Sequence, residues 1–279
     1  MNQFLGCLCA LLLLLPTASC ASSNSATEAQ APRSTKQKLP LASVNTVPVI
    51  HVFVALADNV NQGIVPVSPS LGDGDNPKTN LYWGAAFGVK TFFSKNRDWE
   101  LVSVVPNPKA SVLERCIFKH RAHVLFLVAD AYQGKEIQHA TSEFLQALAG
   151  EPGEKISAGA NEFSLHGSAA LLAYVGHDGL MDFQLSNTFR QRDTRQRQAI
   201  ILACASKQFF TQPLKSTGAH PLLWTTNLMA PEAYILSAAV DGWIAKETGE
   251  QIHERAARAY DKYQHCGLKS ARGLFATGF

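Results

Sequence analysis

What most narrows the fold is a series of short runs rich in Val, Ile, Leu and Ala, each ended by turn residues and most followed by a helical pattern. The runs fall at residues 47–57, 99–105, 123–129, 169–175, 199–203 and 221–225. Helical spacing follows at Trp83, Phe87 and Phe92 behind a cap at Thr79 or Asn80, and at Ile137, Phe144, Leu145 and Leu148 within 134–149. Two more helices are expected at 231–246 and 250–264, separated by Gly249. Strands apolar on both faces that alternate with helices are what a parallel sheet covered on both sides produces. The expected fold is therefore α/β, a three-layer sandwich with a mostly parallel six-stranded sheet. The chain has 279 residues, 46% hydrophobic and 17% charged, which is apolar material for one core and hence one domain over 46–279.

The amino terminus has a different character. Residues 1–20 contain no charged side chain, and the run Leu11–Leu15 gives way to Pro16 and the small residues Thr17, Ala18 and Ser19, a signal-peptide pattern. The apolar stretch 4–15 falls short of the roughly 20 residues that span a bilayer. Cys20 stands where the lipidated cysteine of a bacterial lipoprotein would. The alternatives are a membrane anchor through Cys20 and ordinary cleavage near Ala18 to Ala21. Residues 21–45, rich in Ser, Ala, Thr, Gln and Pro, read as a disordered tether. The expectation is export to the periplasm or cell exterior. A net charge of +3 is far below the basic density that nucleic acid demands.

In an open parallel sheet the ligand sits beyond the carboxyl ends of the strands, so the residues after each run matter most. Two stand out: Leu171-Leu172-Ala173-Tyr174-Val175-Gly176-His177-Asp178-Gly179, and Ile200-Ile201-Leu202-Ala203-Cys204. If these strands are neighbours, about 4.8 Å apart, His177 and Cys204 enter one crevice, where imidazole can take the thiol proton and the thiolate can attack a carbonyl carbon. Asp58 and Asn59, after the first strand, face the same crevice as candidate orienting or substrate-binding groups, as do Asp130 and Tyr132 after the third. Asp178 can hold a basic side chain or close an Asx-turn.

These motifs resemble the caspase-like cysteine peptidase fold of caspases, gingipains, legumains and separase, in which one apolar strand ends in His-Gly and the next in Ala-Cys. The resemblance covers residues 164–227. It implies Cys204 as nucleophile, His177 as general base and acid, and an oxyanion hole from the backbone N–H groups of Gly176 or Gly179 and of Cys204. It also implies a specificity pocket lined by Trp224, Thr225 and Thr226, and a peptide or protein substrate. Here His177 is followed by Asp178 before the glycine, and the strand at 123–129 is extra.

Other motifs are weaker. His166-Gly167 is a literal His-Gly but precedes its strand, which puts it at the opposite sheet edge. The loop 72–77 has alternating Asp and Asn but lacks the closing Glu of a calcium loop, since Gly84 stands there. The basic run Arg190, Arg192, Arg195 and Arg197 reads as a solvated segment or a processing loop. No zinc spacing, phosphate loop or Gly-x-Ser-x-Gly elbow occurs, so neither metal nor cofactor is expected. Cys116, Cys204 and Cys266 leave room for one disulfide and one free thiol in the mature domain. The leading reading is an exported cysteine hydrolase; its rival is a non-catalytic binding or scaffold protein of the same fold, in which Cys204 is a buried small hydrophobe.

Overall fold

The structure, a computed structural model, describes residues 47–279. The signal region, Cys20 and the tether lie outside the described residues. Along the chain run β1 (Val49–Ala55), α1 (Val89–Lys95), β2 (Trp99–Lys109), β3 (Val112–His120), β4 (Phe126–Tyr132), α2 (Ile137–Ala149), β5 (Pro152–Ala158), β6 (Asn161–His166), β7 (Leu171–Val175), β8 (Gln198–Leu202), α3 (Ser206–Thr217), β9 (His220–Thr225), α4 (Ala233–Ile244), α5 (Gly249–Gln264), α6 (Leu268–Leu274) and β10 (Phe275–Ala276).

Strand β1 is buried along its whole length and pairs in parallel with β4 on one side and β7 on the other. Its alternate residues serve two cores. Ile50, Val52 and Val54 join Val89, Phe93, Leu236 and Val240 under α1, α4 and α5. Phe53 and Ala55 join Phe144, Tyr174 and Phe210 under α2 and α3. That two-sided burial explains the unbroken apolar runs, because neither face can be polar.

The sheet has eight strands in the order β10-β9-β8-β7-β1-β4-β3-β2, with β1, β4, β7, β8 and β9 parallel and the rest antiparallel. The expected six-stranded sheet is thus corrected to a larger, mixed one. The edge strand β2 covers the expected run 99–105 and continues through Pro106 and Pro108, which only an edge strand tolerates; β3 was not expected, because Glu114, Arg115 and Lys119 interrupt its apolar residues. A separate hairpin, β5–β6, packs Phe163 and Leu165 against Val49 and Phe126. The expected helix through Trp83 and Phe87 is a chain of turns and only α1 is helical. Asn80 explains this: its amide accepts the N–H of Ala57 and donates to the Ala57 carbonyl, holding the loop to the end of β1 rather than capping a helix.

One polar group breaks the apolar pattern of β1. His51, wholly buried, donates from Nε2 to Asp130 (3.1 Å), and its Nδ1 accepts the N–H of His166. Asp130 is held by Arg115 through Nε (2.6 Å) and Nη2 (2.8 Å), and Arg115 also reaches Glu154. Burial pulls both histidines down, His166 to about 4, while Arg115 and His51 hold Asp130 below the carboxylate range despite its burial. The folded state therefore disfavours protons that the unfolded chain accepts below about 6.5. Stability should be whole above that pH and fall as pH drops toward 4, by roughly 3 kcal/mol for His166, with Asp130 adding loss only at lower pH. Urea unfolding should show a lower midpoint at pH 5 than at pH 7.5, and His166→Asn, which tolerates the left-handed backbone of this position (φ 51°), should flatten the difference. Equal midpoints for the wild type would contradict this account.

Candidate active site

The register of the sheet sets the site. Val175 pairs with Leu202 between the parallel neighbours β7 and β8; His177 and Cys204 each lie two residues further on, so both leave the same rim at the same height. Gly176 makes the turn out of β7 at φ 148°, where a Cβ would sit 2.7 Å from the Ala55 carbonyl, so only glycine fits. Its N–H is committed to the Leu202 carbonyl (3.2 Å) and is not available to a substrate.

His177 is buried. Its carbonyl accepts the Tyr174 hydroxyl (2.9 Å), and its Nε2 lies 2.7 Å from a carboxylate oxygen of Asp182. The same oxygen accepts the N–H of Gly63 (2.8 Å), where a Cβ would collide with the carboxylate at 2.4 Å. With the Nε2 proton held by Asp182, Nδ1 carries the lone pair. Asp182 went unread in the sequence; its only mark is an acidic residue one turn beyond the histidine.

Asp178 caps the short 3-10 turn Gly179–Met181 through Oδ1, which accepts the Leu180 N–H (3.0 Å). Its other oxygen is buried without a hydrogen-bond partner. Burial, reinforced by the charge of Asp182 and opposed by the Leu180 bond, pushes this acid up to about 7.

Cys204 sits between β8 and α3. Ala205 takes a left-handed conformation (φ 49°, ψ 30°), a sharp strand-to-helix turn that a residue with a Cβ adopts only under constraint. The constraint is a lock between Ser206 and Thr225: the Ser206 N–H donates to Thr225 Oγ1 (3.1 Å), the Thr225 N–H to Ser206 Oγ (3.0 Å), and Ser206 Oγ to the Ile201 carbonyl (3.0 Å). The thiol is bracketed by the Met229 backbone, whose N–H lies 3.4 Å and carbonyl 3.5 Å from Sγ. Burial raises its pKa, the Met229 bond lowers it, and the charge of Asp178 raises it again. No hydrogen bond joins Sγ to His177 among the described residues.

The remaining candidates are placed elsewhere. Asp58 accepts the N–H groups of Val60 and Asn61, and Asn59 is paired with the backbone of Val67, so both shape the loop after β1. Asp130 serves the His51 network, and the Tyr132 hydroxyl donates to Glu143 and accepts from Lys109. Trp224 is fully buried beside Phe279, Thr225 belongs to the lock, and Thr226 ties to the carbonyls of Gly273 and Leu274. His166 stacks on His51 and Phe53, away from the rim. Arg197 is buried, bonded to the Gly167 carbonyl and Asp193. Gly179 is buried against the Phe183 ring.

Comparison with protein-family models, with curated proteins and with solved structures gives no match. Among the described residues all three cysteines are free, no cluster of three His, Cys, Asp or Glu is placed to hold a metal, and no helix is long and apolar enough to cross a membrane.

The three thiols differ in a way that alkylation reads. Cys266 is exposed, Cys204 is partly covered, and Cys116 is buried with its pKa pushed up to about 12. With iodoacetamide at pH 7 the native protein should react first at Cys266, more slowly at Cys204, and at Cys116 only after unfolding, followed by peptide mass mapping. Labelling of Cys116 at native rates would refute the burial assigned to it.

Proposed function

We propose that this protein is an exported cysteine hydrolase of caspase-like type that cleaves a peptide or related amide bond, with Cys204 as nucleophile and His177 as base and acid. The observation that carries the reading is the shared exit of His177 and Cys204 from adjacent parallel strands, with His177 steadied by Asp182. In the reaction the Cys204 thiol passes its proton to His177 Nδ1, and the sulfur attacks the carbonyl carbon. The imidazolium returns that proton to the departing amine as the C–N bond breaks. Water, deprotonated by the same imidazole, then cleaves the thioester and restores the thiol. Asp182 contributes orientation and stabilises the imidazolium, the part a carboxylate plays behind any histidine base. The N–H of Gly179 remains as a candidate donor to the developing oxyanion. The export half of the reading rests on the uncharged leader at 1–20.

One observation favours the rival, a binding protein without turnover: the Cys204 thiol rests against the Met229 backbone with its pKa raised, so at neutral pH it is a thiol and not a thiolate. Activity on a mixed peptide substrate pool, together with labelling by a thiol-directed peptide chloromethyl ketone, separates the two. Cys204→Ala should abolish both, His177→Ala should lower kcat by roughly 100- to 10,000-fold, and Asp182→Asn should lower kcat with little change in KM. Neither cleavage nor labelling by the wild type would leave the binding reading in possession of the site.

A further inference from the structure

We infer that the hairpin β5–β6 is an acid-released flap: protonation of His51 and His166 drives it off the sheet while the rest of the fold stays closed. The flap is independent of whether the rim turns over a substrate. Its attachment is light. It forms a two-stranded sheet of its own, with no ladder to the eight-stranded one, and a two-stranded hairpin alone is at best marginally stable in water. Its seat is apolar: Ala158, Phe163 and Leu165 cluster with Val49, Phe126 and Val128, and the Phe163 ring stacks on Phe126 at 4.9 Å. Among the described residues two hydrogen bonds join it to the main sheet, Arg115 Nη2 to Glu154 at 2.7 Å and the His166 N–H to His51 Nδ1 at 3.3 Å.

The second of these bonds exists in one protonation state only. His51 donates from Nε2 to Asp130 (3.1 Å), so Nδ1 is an acceptor while the ring is neutral. A proton at Nδ1 turns it into a donor aimed at the His166 N–H, and two donors cannot share the contact. The Asp130 bond survives that proton, so the damage falls on the side of the hairpin. His166 adds to it. Its ring stacks on that of His51 with centroids 5.2 Å apart, and its Nε2 is buried without a hydrogen-bond partner. Two imidazolium rings this close repel, and a charged N–H buried without an acceptor is costly. Outward movement of the hairpin relieves both, because His166 closes β6 whereas His51 is fixed in the middle of β1. It also bares Val49, Ile117, Phe126 and Val128, an apolar face that neutral pH keeps covered.

The charges around the two rings set the direction. Arg115 on β3 and Lys109 on β2 oppose protonation, Asp130 on β4 and Glu143 on α2 favour it, and Glu154 on β5 is engaged by Arg115. Burial outweighs the carboxylates and holds both histidines below their ordinary value, His166 at about 4. Docking is therefore complete above about 6.5, the value in an open chain, and is lost as pH falls toward 4. The loss is local, since both proton acceptors face the hairpin and local opening needs less free energy than unfolding the core.

Hydrogen exchange of the full chain at pH 7.5 and pH 4.5, read by mass spectrometry with exchange times scaled for the intrinsic pH dependence, tests the flap. Peptides within 152–166 should lose protection by roughly 50- to 100-fold at the lower pH, the ratio that a His166 value of about 4 against 6.5 gives. Peptides from β1, β7 and α4 should keep theirs. His166→Asn, which suits the left-handed backbone there (φ 51°), should shrink the hairpin's response at least tenfold. His51→Gln, whose amide oxygen accepts at any pH, should shrink it as well. Unchanged protection of the hairpin at pH 4.5, a loss shared equally by β1, or either variant responding as the wild type does would overturn the inference. Should His51→Gln fail to fold, His166→Asn decides alone.

Discussion

The placement of His51 in the middle of β1 constrains much of the molecule. A central strand bonded on both sides and covered on both faces has no water to offer a polar side chain, so the imidazole must find its partners inside. Asp130, one strand away on β4, supplies an acceptor, and Arg115 on β3 keeps that acceptor charged. Burying an ion pair gives little net stability by itself, but removing one member of it is severe. The network thereby ties the antiparallel hairpin to the parallel half of the sheet in one register. On the other side of β1, the pairings with β7 and of β7 with β8 place the rim with Cys204.

At the rim, two aspartates four residues apart live in opposite surroundings. Asp182 is partly exposed, accepts a backbone N–H and touches His177. Asp178 is sealed, has one of its oxygens unpartnered and sits beside Asp182, conditions that suit the neutral form. Two carboxyls in such different environments can take different tasks in one site. Asp182 lies where it can steady the His177 ring, while Asp178 holds the turn that follows β7.

How far the sequence disclosed this follows from which forces act locally. The parallel strands were legible because two-sided burial leaves no choice but apolar residues, and the strand ends carrying His177 and Cys204 could be read with them. Strand β2 was legible as the run 99–105, but its partner β3 was not, because Glu114, Arg115 and Lys119 interrupt its apolar residues. Helix α3 was hidden by Pro213 inside it and by the low apolar content of its exposed face. The turns at 72–88 carry helical spacing that Asn80 overrides by bonding to Ala57, a contact 23 residues apart. Asp182 and the Met229 backbone were invisible for the same reason: they meet the site through folding of loops, which no periodicity records. The reading of Trp224, Thr225 and Thr226 as a pocket came from the caspase-like resemblance, which gives that role to the strand after the cysteine. The side chains go instead into the core, the turn that presents Cys204, and the contact with α6.

The lock behind Cys204 bears on how a thiol with a raised pKa is held at the rim. Ser206 and Thr225 exchange hydrogen bonds under the turn, and Thr225 Oγ1 also donates to the Ala203 carbonyl, so the backbone on either side of the sulfur has no freedom to relax. A side chain on such a turn keeps its position whether protonated or not, and the energetic question reduces to where the proton goes. A neutral thiol held against Met229 is protected from adventitious oxidation and alkylation, which favour the thiolate.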